Sequence, residues 1–104
     1  MQPAHRSQTN TLLGYPADAR LLIINADDFG MCHATNAAIL RALTDGVVTT
    51  TTLMVPCPWA LHAIRLLKEH PELRFGVHRA AICDGPDYRW GPIAPRDHVP
   101  SLVD

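Results

Sequence analysis

Asp27 and Asp28 stand side by side in the segment Asn25-Ala26-Asp27-Asp28-Phe29-Gly30, directly after the unbroken apolar run Leu21-Leu22-Ile23-Ile24. A short apolar run with β-branched members, closed by Asp and Gly, reads as a fully buried parallel strand. Carboxylates at the C-terminal end of such a strand lie where parallel α/β folds and barrels place their chemistry. Neighbouring residues on an extended chain point in different directions, so the pair can divide the work. One can bind a divalent cation while the other approaches a water held on that cation. The same pair would also serve as a strand-ending turn, with Asp accepting local backbone hydrogen bonds. Residue types alone leave both readings open.

His78 closes another strand-like stretch, Leu73-Arg74-Phe75-Gly76-Val77-His78, on the same edge. A neutral imidazole there is a natural metal ligand, and Gly76 would permit a close backbone approach. Taken alone, His78 reads as a half-exposed histidine at a strand end; beside Asp28 the ligand reading prevails. The other histidines carry less. His62 and His70 fall on the polar side of a helical stretch and read as solvated, His33 as a helix-start residue, His5 as part of a leader, and His98 as part of a proline-rich tail. Cys32, Cys57 and Cys83 each follow one of the three strands, and small buried hydrophobes are a better reading than a thiolate metal site. Thr49 to Thr52 reads as a β-branched strand with one hydroxyl near its end able to touch a substrate.

The elements that must position these residues follow from periodicity. Residues 1–19 are polar, turn-rich and aperiodic, and read as a flexible leader. After the Asp-Asp turn the pattern becomes helical between Cys32 and Asp45, with Ile39, Leu40 and Leu43 on one side. Gly46 stands where a helix C-terminus favours a left-handed residue. Val47 to Val55 makes a second strand, stopped by Pro56-Cys57-Pro58, with Pro58 suited to the first turn of the next helix. That helix is expected to carry Leu61, Ile64, Leu67 and Trp59 inward and to end before Pro71. Beyond the third strand Pro86, Pro92, Pro95 and Pro100 leave a long loop.

The order β-α-β-α-β predicts an α/β fold with parallel strands and right-handed crossovers, both helices on one side of the sheet. A first strand apolar on both faces would need cover that these residues do not supply, so residues 20–104 read as an incomplete domain. An uncovered apolar face and an unpaired strand edge favour self-association, a homodimer being its simplest form.

Composition narrows the function classes. In 104 residues, 47% are hydrophobic and 18% charged, which is the balance of a folded interior rather than a disordered tail. The formal net charge of −1 provides no basic field for nucleic acid or an anionic membrane surface. No stretch approaches the roughly 18 apolar residues that span a bilayer, and no signal-peptide run opens the chain. Three cysteines without a C-x-x-C pair argue against a disulfide framework and for a reducing, cytoplasmic setting.

The Asn25-Ala26-Asp27-Asp28-Phe29-Gly30 segment, the strand from Val48-Thr49 to Met54-Val55, and Gly76-Val77-His78 together resemble, in order and spacing, the YdjC-like carbohydrate deacetylases. The resemblance covers about residues 20 to 103. It implies the N-terminal portion of a distorted (β/α) TIM-like barrel that removes acetyl groups from N-acetylated sugars such as chitooligosaccharides, with a divalent metal, magnesium before zinc. Carried across by motif, Asp28 and His78 would be metal ligands and Asp27 the general base. Tyr88, Trp90 and Trp59 could stack on a sugar ring, although Trp59 fits the core better. Where the family usually follows this histidine with Leu-Thr-Leu, this chain has Arg79-Ala80-Ala81-Ile82. The resemblance places the third metal-binding histidine and the oxyanion-stabilising residues beyond Asp104, so residues 1–104 are expected to hold a half-site and to be inactive alone.

Two other classes compete. A magnesium-dependent phosphoryl hydrolase would also use paired Asp residues after a strand, but needs cations at the strand ends, where Arg79 is the one candidate, and a Gly-rich phosphate loop, which is missing. A truncated, non-enzymatic copy is the third reading.

Overall fold

The computed structural model describes residues 7–83 and 85–103; His5 lies outside them. Strands β1 (Asn25–Phe29), β2 (Thr50–Leu53) and β3 (Phe75–Val77) pair in parallel, in the spatial order β1-β2-β3. A short helix α1 (Gln8–Leu12) precedes the sheet, α2 (His33–Thr44) joins the first two strands and α3 (Ala60–Glu69) the second and third. The expected β-α-β-α-β order is the order found, in an open α/β sheet.

Both helices pack on one face. Ile39 of α2 and Ala63 and Leu67 of α3 bury against Phe29 and Leu53 in a single cluster. Phe29 and Ala63 are wholly removed from solvent, and burying a phenylalanine stabilises a fold by about 1.5–3 kcal/mol. The parallel register sets Ala26 beside Thr51 and Phe29 beside Leu53, so these four side chains face the helices. Thr51 is also fully buried, its hydroxyl satisfied by the Ala26 carbonyl at 2.7 Å. The intervening residues, Asn25, Asp27, Thr50 and Thr52, look away from the helices.

This corrects the sequence reading of the first strand. Leu21 to Ile24 is not the strand but its approach, and Leu22 and Ile23 are about three-quarters exposed, at 77% and 75%. The reason lies in the partner: β2 begins at Thr50, opposite Asn25, so residues 21–23 have no paired backbone beside them. Ile24 alone is tied in, through its carbonyl to Thr49 N–H at 2.9 Å. The true strand alternates, apolar towards the helices and polar away from them, and is not apolar on both faces.

Smaller differences have equally local causes. Gly46 is not left-handed; its missing Cβ instead avoids the Ala42 carbonyl, which would lie only 2.6 Å away. Gly76 permits no special approach, since a Cβ there would make ordinary contact with Thr52 at 3.8 Å. Pro58 falls in the turn ahead of α3, which starts two residues later. On α3 the buried positions are Ala60, Ala63 and Leu67, whereas Leu61 and Trp59 are exposed, at 68% and 41%. Small alanines bring the start of α3 close to the sheet, leaving Leu61 and Trp59 outside. Phe75 and Val77 of β3 are exposed as well, because α2 covers β1 and β2 rather than this edge. The leader contains α1, capped by the Ser7 hydroxyl accepting from Asn10 N–H. The proline-rich tail holds two 3-10 turns, Arg96–His98 and Pro100–Leu102. The described residues together have a radius of gyration of 18.1 Å, where a compact chain of this length would have about 13 Å.

Candidate active site

At the end of β1 the chain does something that neither a plain strand nor a plain turn requires. From the Ala26–Thr51 pair to the Phe29–Leu53 pair, β1 advances three residues while β2 advances two. The extra residue is a bulge, a device that re-aims side chains next to functional sites. Asp28 supplies it with a φ of 69°, the one left-handed non-glycine residue among those described. Asp tolerates this conformation better than most residues, at a cost of order 1–2 kcal/mol. The turn closes through Met31 N–H on the Asp28 carbonyl at 3.1 Å and Met54 N–H on the Phe29 carbonyl at 2.7 Å.

The consequence is convergence. By strict alternation Asp28 would point into the helices; the bulge brings its carboxylate to the rim that Asp27 already occupies. Asp28 Oδ1 stands 3.4 Å from Nδ1 of His78. Oδ1 of Asp27 accepts from Thr52 Oγ1 at 2.8 Å and from Asn25 Nδ2 at 2.5 Å. Thr52 Oγ1 is also 3.5 Å from His78 Nδ1; its single proton goes to the nearer Asp27, so towards His78 it can only accept, and weakly. His78 is held by its own backbone N–H on the Leu53 carbonyl at 2.9 Å. Asp27, Asp28 and His78, the three residues expected from sequence, therefore share one rim at the carboxyl edge of the sheet.

Thr52 and Asn25 form the support that sequence reading left out. Their signal was present: Asn25, Asp27, Thr50 and Thr52 share one face of a period-2 pattern. Asn36 was missed too, although it lies three residues before Ile39 on the apolar side of α2. It is fully buried and accepts Gly30 N–H at 2.6 Å. His62, expected to be solvated, is half-buried, with Nδ1 3.0 Å from the Asn36 amide nitrogen. The helix turns it towards the start of α3 rather than outward. His33 does begin α2, its ring 5.3 Å from Trp59 and 5.2 Å from His62. His70 pairs with Glu72 and His98 lies beside Asp97; neither reaches the rim.

The cysteines take three different roles. Cys57 is buried as expected, and burial, then the charge of Asp28, pushes its thiol up. Cys32 instead caps α2, and bonding to the Thr35 hydroxyl and backbone N–H lowers its thiol. Cys83 is partly buried, and all three are free.

The tail closes one side of the rim. The Tyr88 hydroxyl donates to the Met31 carbonyl, and a cavity of about 340 Å³ opens between Asp28, Met54, Pro86, Tyr88 and Trp90. Burial, followed by nearby Cys57 and Cys32, raises the Tyr88 phenol. A larger cavity of about 830 Å³ lies within the tail, but none of Asp27, Asp28 and His78 lines it.

Fold and rim together define an α/β protein whose carboxylates and imidazole converge at the carboxyl edge of a parallel sheet. The family of YdjC-like proteins matches residues 21–104, and the chain belongs to it. It is 51% identical over 84 residues to a carbohydrate deacetylase of Geobacillus stearothermophilus, covering 81% of this chain and 31% of that protein. It is 46% identical over 59 residues to a chitooligosaccharide deacetylase of Yersinia enterocolitica, covering 57% of this chain and 23% of the relative. A crystal structure from Enterococcus faecalis V583, of a candidate cellobiose-phosphate cleavage protein, superposes with a TM-score of 0.69 at 42% identity, over 79% of this chain and 30% of its own. The chain thus spans less than a third of the length of these relatives.

Among the described residues, no helix is long and apolar enough to cross a membrane, and no group of three or more His, Cys, Asp or Glu side chains is placed to hold a metal ion. Asp28 and His78 nevertheless fit a divalent cation in kind, a carboxylate beside an imidazole whose nearest atoms, Oδ1 and Nδ1, stand 3.4 Å apart.

Proposed function

We propose that this chain carries the acidic strand of a metal-dependent hydrolase that removes N-acetyl groups from carbohydrates of the chitooligosaccharide kind, within a TIM-like barrel. The observation that supports this reading is the convergence of Asp27, Asp28 and His78 on one rim through the bulge at Asp28. Asp28 and His78 would hold the cation, magnesium before zinc. When bound, such a cation supplies polarisation of the amide carbonyl and a more acidic water. Asp27 then has the geometry of a general base. Asn25 and Thr52 hold one of its oxygens, and among the described residues no donor reaches the other, which is left to accept a proton. Trp90 and Tyr88, beside Asp28 in the 340 Å³ cavity, offer apolar faces to a sugar ring. Phosphate is a poorer fit, since no Lys or Arg lines that cavity and Asp87 does. Three free thiols support a cytoplasmic setting.

A chimera tests the reading: residues 21–104 replace the matching segment of the Geobacillus stearothermophilus deacetylase. Acetate release from diacetylchitobiose by the chimera, lost on Asp27→Asn, is the expected result. A folded, metal-loaded chimera that releases no acetate would sink the proposal. Residues 1–104 alone, with two candidate ligands on the rim, are expected to release none with magnesium or zinc.

A further inference from the structure

Asn36 is wholly buried on α2, and each polar group of its side chain is engaged. Its Oδ1 accepts Gly30 N–H at 2.6 Å; its Nδ2 donates to the Trp59 carbonyl at 3.2 Å and lies 3.0 Å from His62 Nδ1. Bonding chemistry leaves one assignment. A backbone N–H can only donate and a carbonyl only accept, so the amide oxygen must face Gly30 and the NH₂ group must face Trp59 and His62. His62 Nδ1 is then an acceptor, which makes the imidazole the neutral tautomer with its proton on Nε2.

The geometry points to His62 as a positioning residue: through Asn36 it locks the Gly30 turn and with it the Asp27–Asp28 rim, although it touches neither carboxylate. Gly30 is gripped at both ends, by Asn36 on its N–H and by Trp59 N–H on its carbonyl at 3.0 Å. Its φ is +108°, and a Cβ would meet the Met54 carbonyl at 3.1 Å and Ala60 Cα at 3.2 Å, so the turn has no room to slide towards α3. Asp28, two residues upstream, keeps its left-handed φ only while the surrounding backbone imposes it. Freeing Gly30 lets Asp28 relax away from His78. The rings of His33 and Trp59, with centroids 5.2 and 5.5 Å from that of His62, hold the imidazole in its orientation. The consequence for catalysis rests on the deacetylase reading, whereas the tautomer and the clamp stand on geometry and are measured without activity.

The test is imidazole ¹H–¹⁵N correlation spectroscopy of the 104-residue chain at about pH 8, above the ordinary imidazole range, combined with amide exchange at Gly30. His62 should be neutral and protonated on Nε2. In His62→Leu the Gly30 amide should exchange faster by about tenfold or more, and the His78 resonances should move. His62→Asn, whose side-chain oxygen lies where Nδ1 does and can accept from Asn36, should restore both. Asn36→Asp keeps an oxygen for Gly30 but cannot donate to His62, so the proton should appear on Nδ1. A wild-type His62 that is protonated on Nδ1 or averaged between tautomers overturns the inference. So does Gly30 protection unchanged in His62→Leu, or a His62 still bare at Nδ1 in Asn36→Asp. Failure of the chimera to release acetate would strike the deacetylase reading and leave these results standing.

Discussion

The two faces of the sheet are built from the same three strands and do opposite things. Towards the helices point Ala26, Phe29, Thr51 and Leu53, packed with Ile39, Ala63 and Leu67. Away from them point Asn25, Asp27, Thr50 and Thr52, half-exposed or exposed, with His78 at the rim. One face carries the stability; the other gathers the polar groups that the proposed chemistry would use, with little burial. Asp28 is the exception that joins them. Alternation assigns it to the packed face, and a bulge with a left-handed residue moves it to the reactive one. Burial can tolerate no charge there, so the backbone deforms instead.

Substitutions on the two faces should therefore separate stability from activity. The largest effect belongs to the packed face: Phe29→Ala should cost about 3–5 kcal/mol, read as loss of the cooperative transition in a thermal melt. Retention of a wild-type melt would mean that the helix face is not what holds the sheet. On the reactive face, Asp27→Asn in the chimera should lower the deacetylation rate by about 10²–10⁴ while shifting stability by no more than about 0.5 kcal/mol. Metal uptake should survive that change and weaken in Asp28→Asn and His78→Ala; the reverse pattern in a titration would exchange the roles of the two carboxylates.

Gly30 lies where the faces meet, and Gly30→Ala should cost about 1–3 kcal/mol, from a strained φ and backbone contacts at 3.1 and 3.2 Å. Chemical denaturation measures it, and a neutral result would show that the turn can move. Thr52→Val keeps the β-branched shape and removes the hydroxyl held by Asp27. It should leave the melt within about 1 kcal/mol of the parent and lower the chimera's rate by about tenfold. A full rate would remove Thr52 from the support of Asp27. The smallest effect is in the thiols. Cys32, lowered by its Thr35 bonds, should be alkylated faster at neutral pH than Cys57, which burial and Asp28 push up. Mass spectrometry of the labelled peptides distinguishes them, and equal rates would mean that the packed face opens readily.

The sequence was informative wherever local chemistry decides. The apolar periods placed both helices and the parallel order, because burial needs one stripe per helix and crossovers have one hand. The residue types Asp27, Asp28 and His78 were legible because few side chains can bind a cation or take a proton. Strand bounds were less so: the run Leu21 to Ile24 has strong strand character, yet pairing begins at Asn25 because only there does β2 offer a partner. Trp59 and Leu61 look like core by type and lie outside because Ala60 and Ala63 fit the sheet more closely. The convergence of the rim, the donors that Asn25 and Thr52 give to Asp27, and the Asn36–His62 clamp on Gly30 belong to tertiary structure alone. They join residues from 2 to 50 positions apart, and a hydrogen bond depends on distances of tenths of an ångström that only the packed backbone fixes.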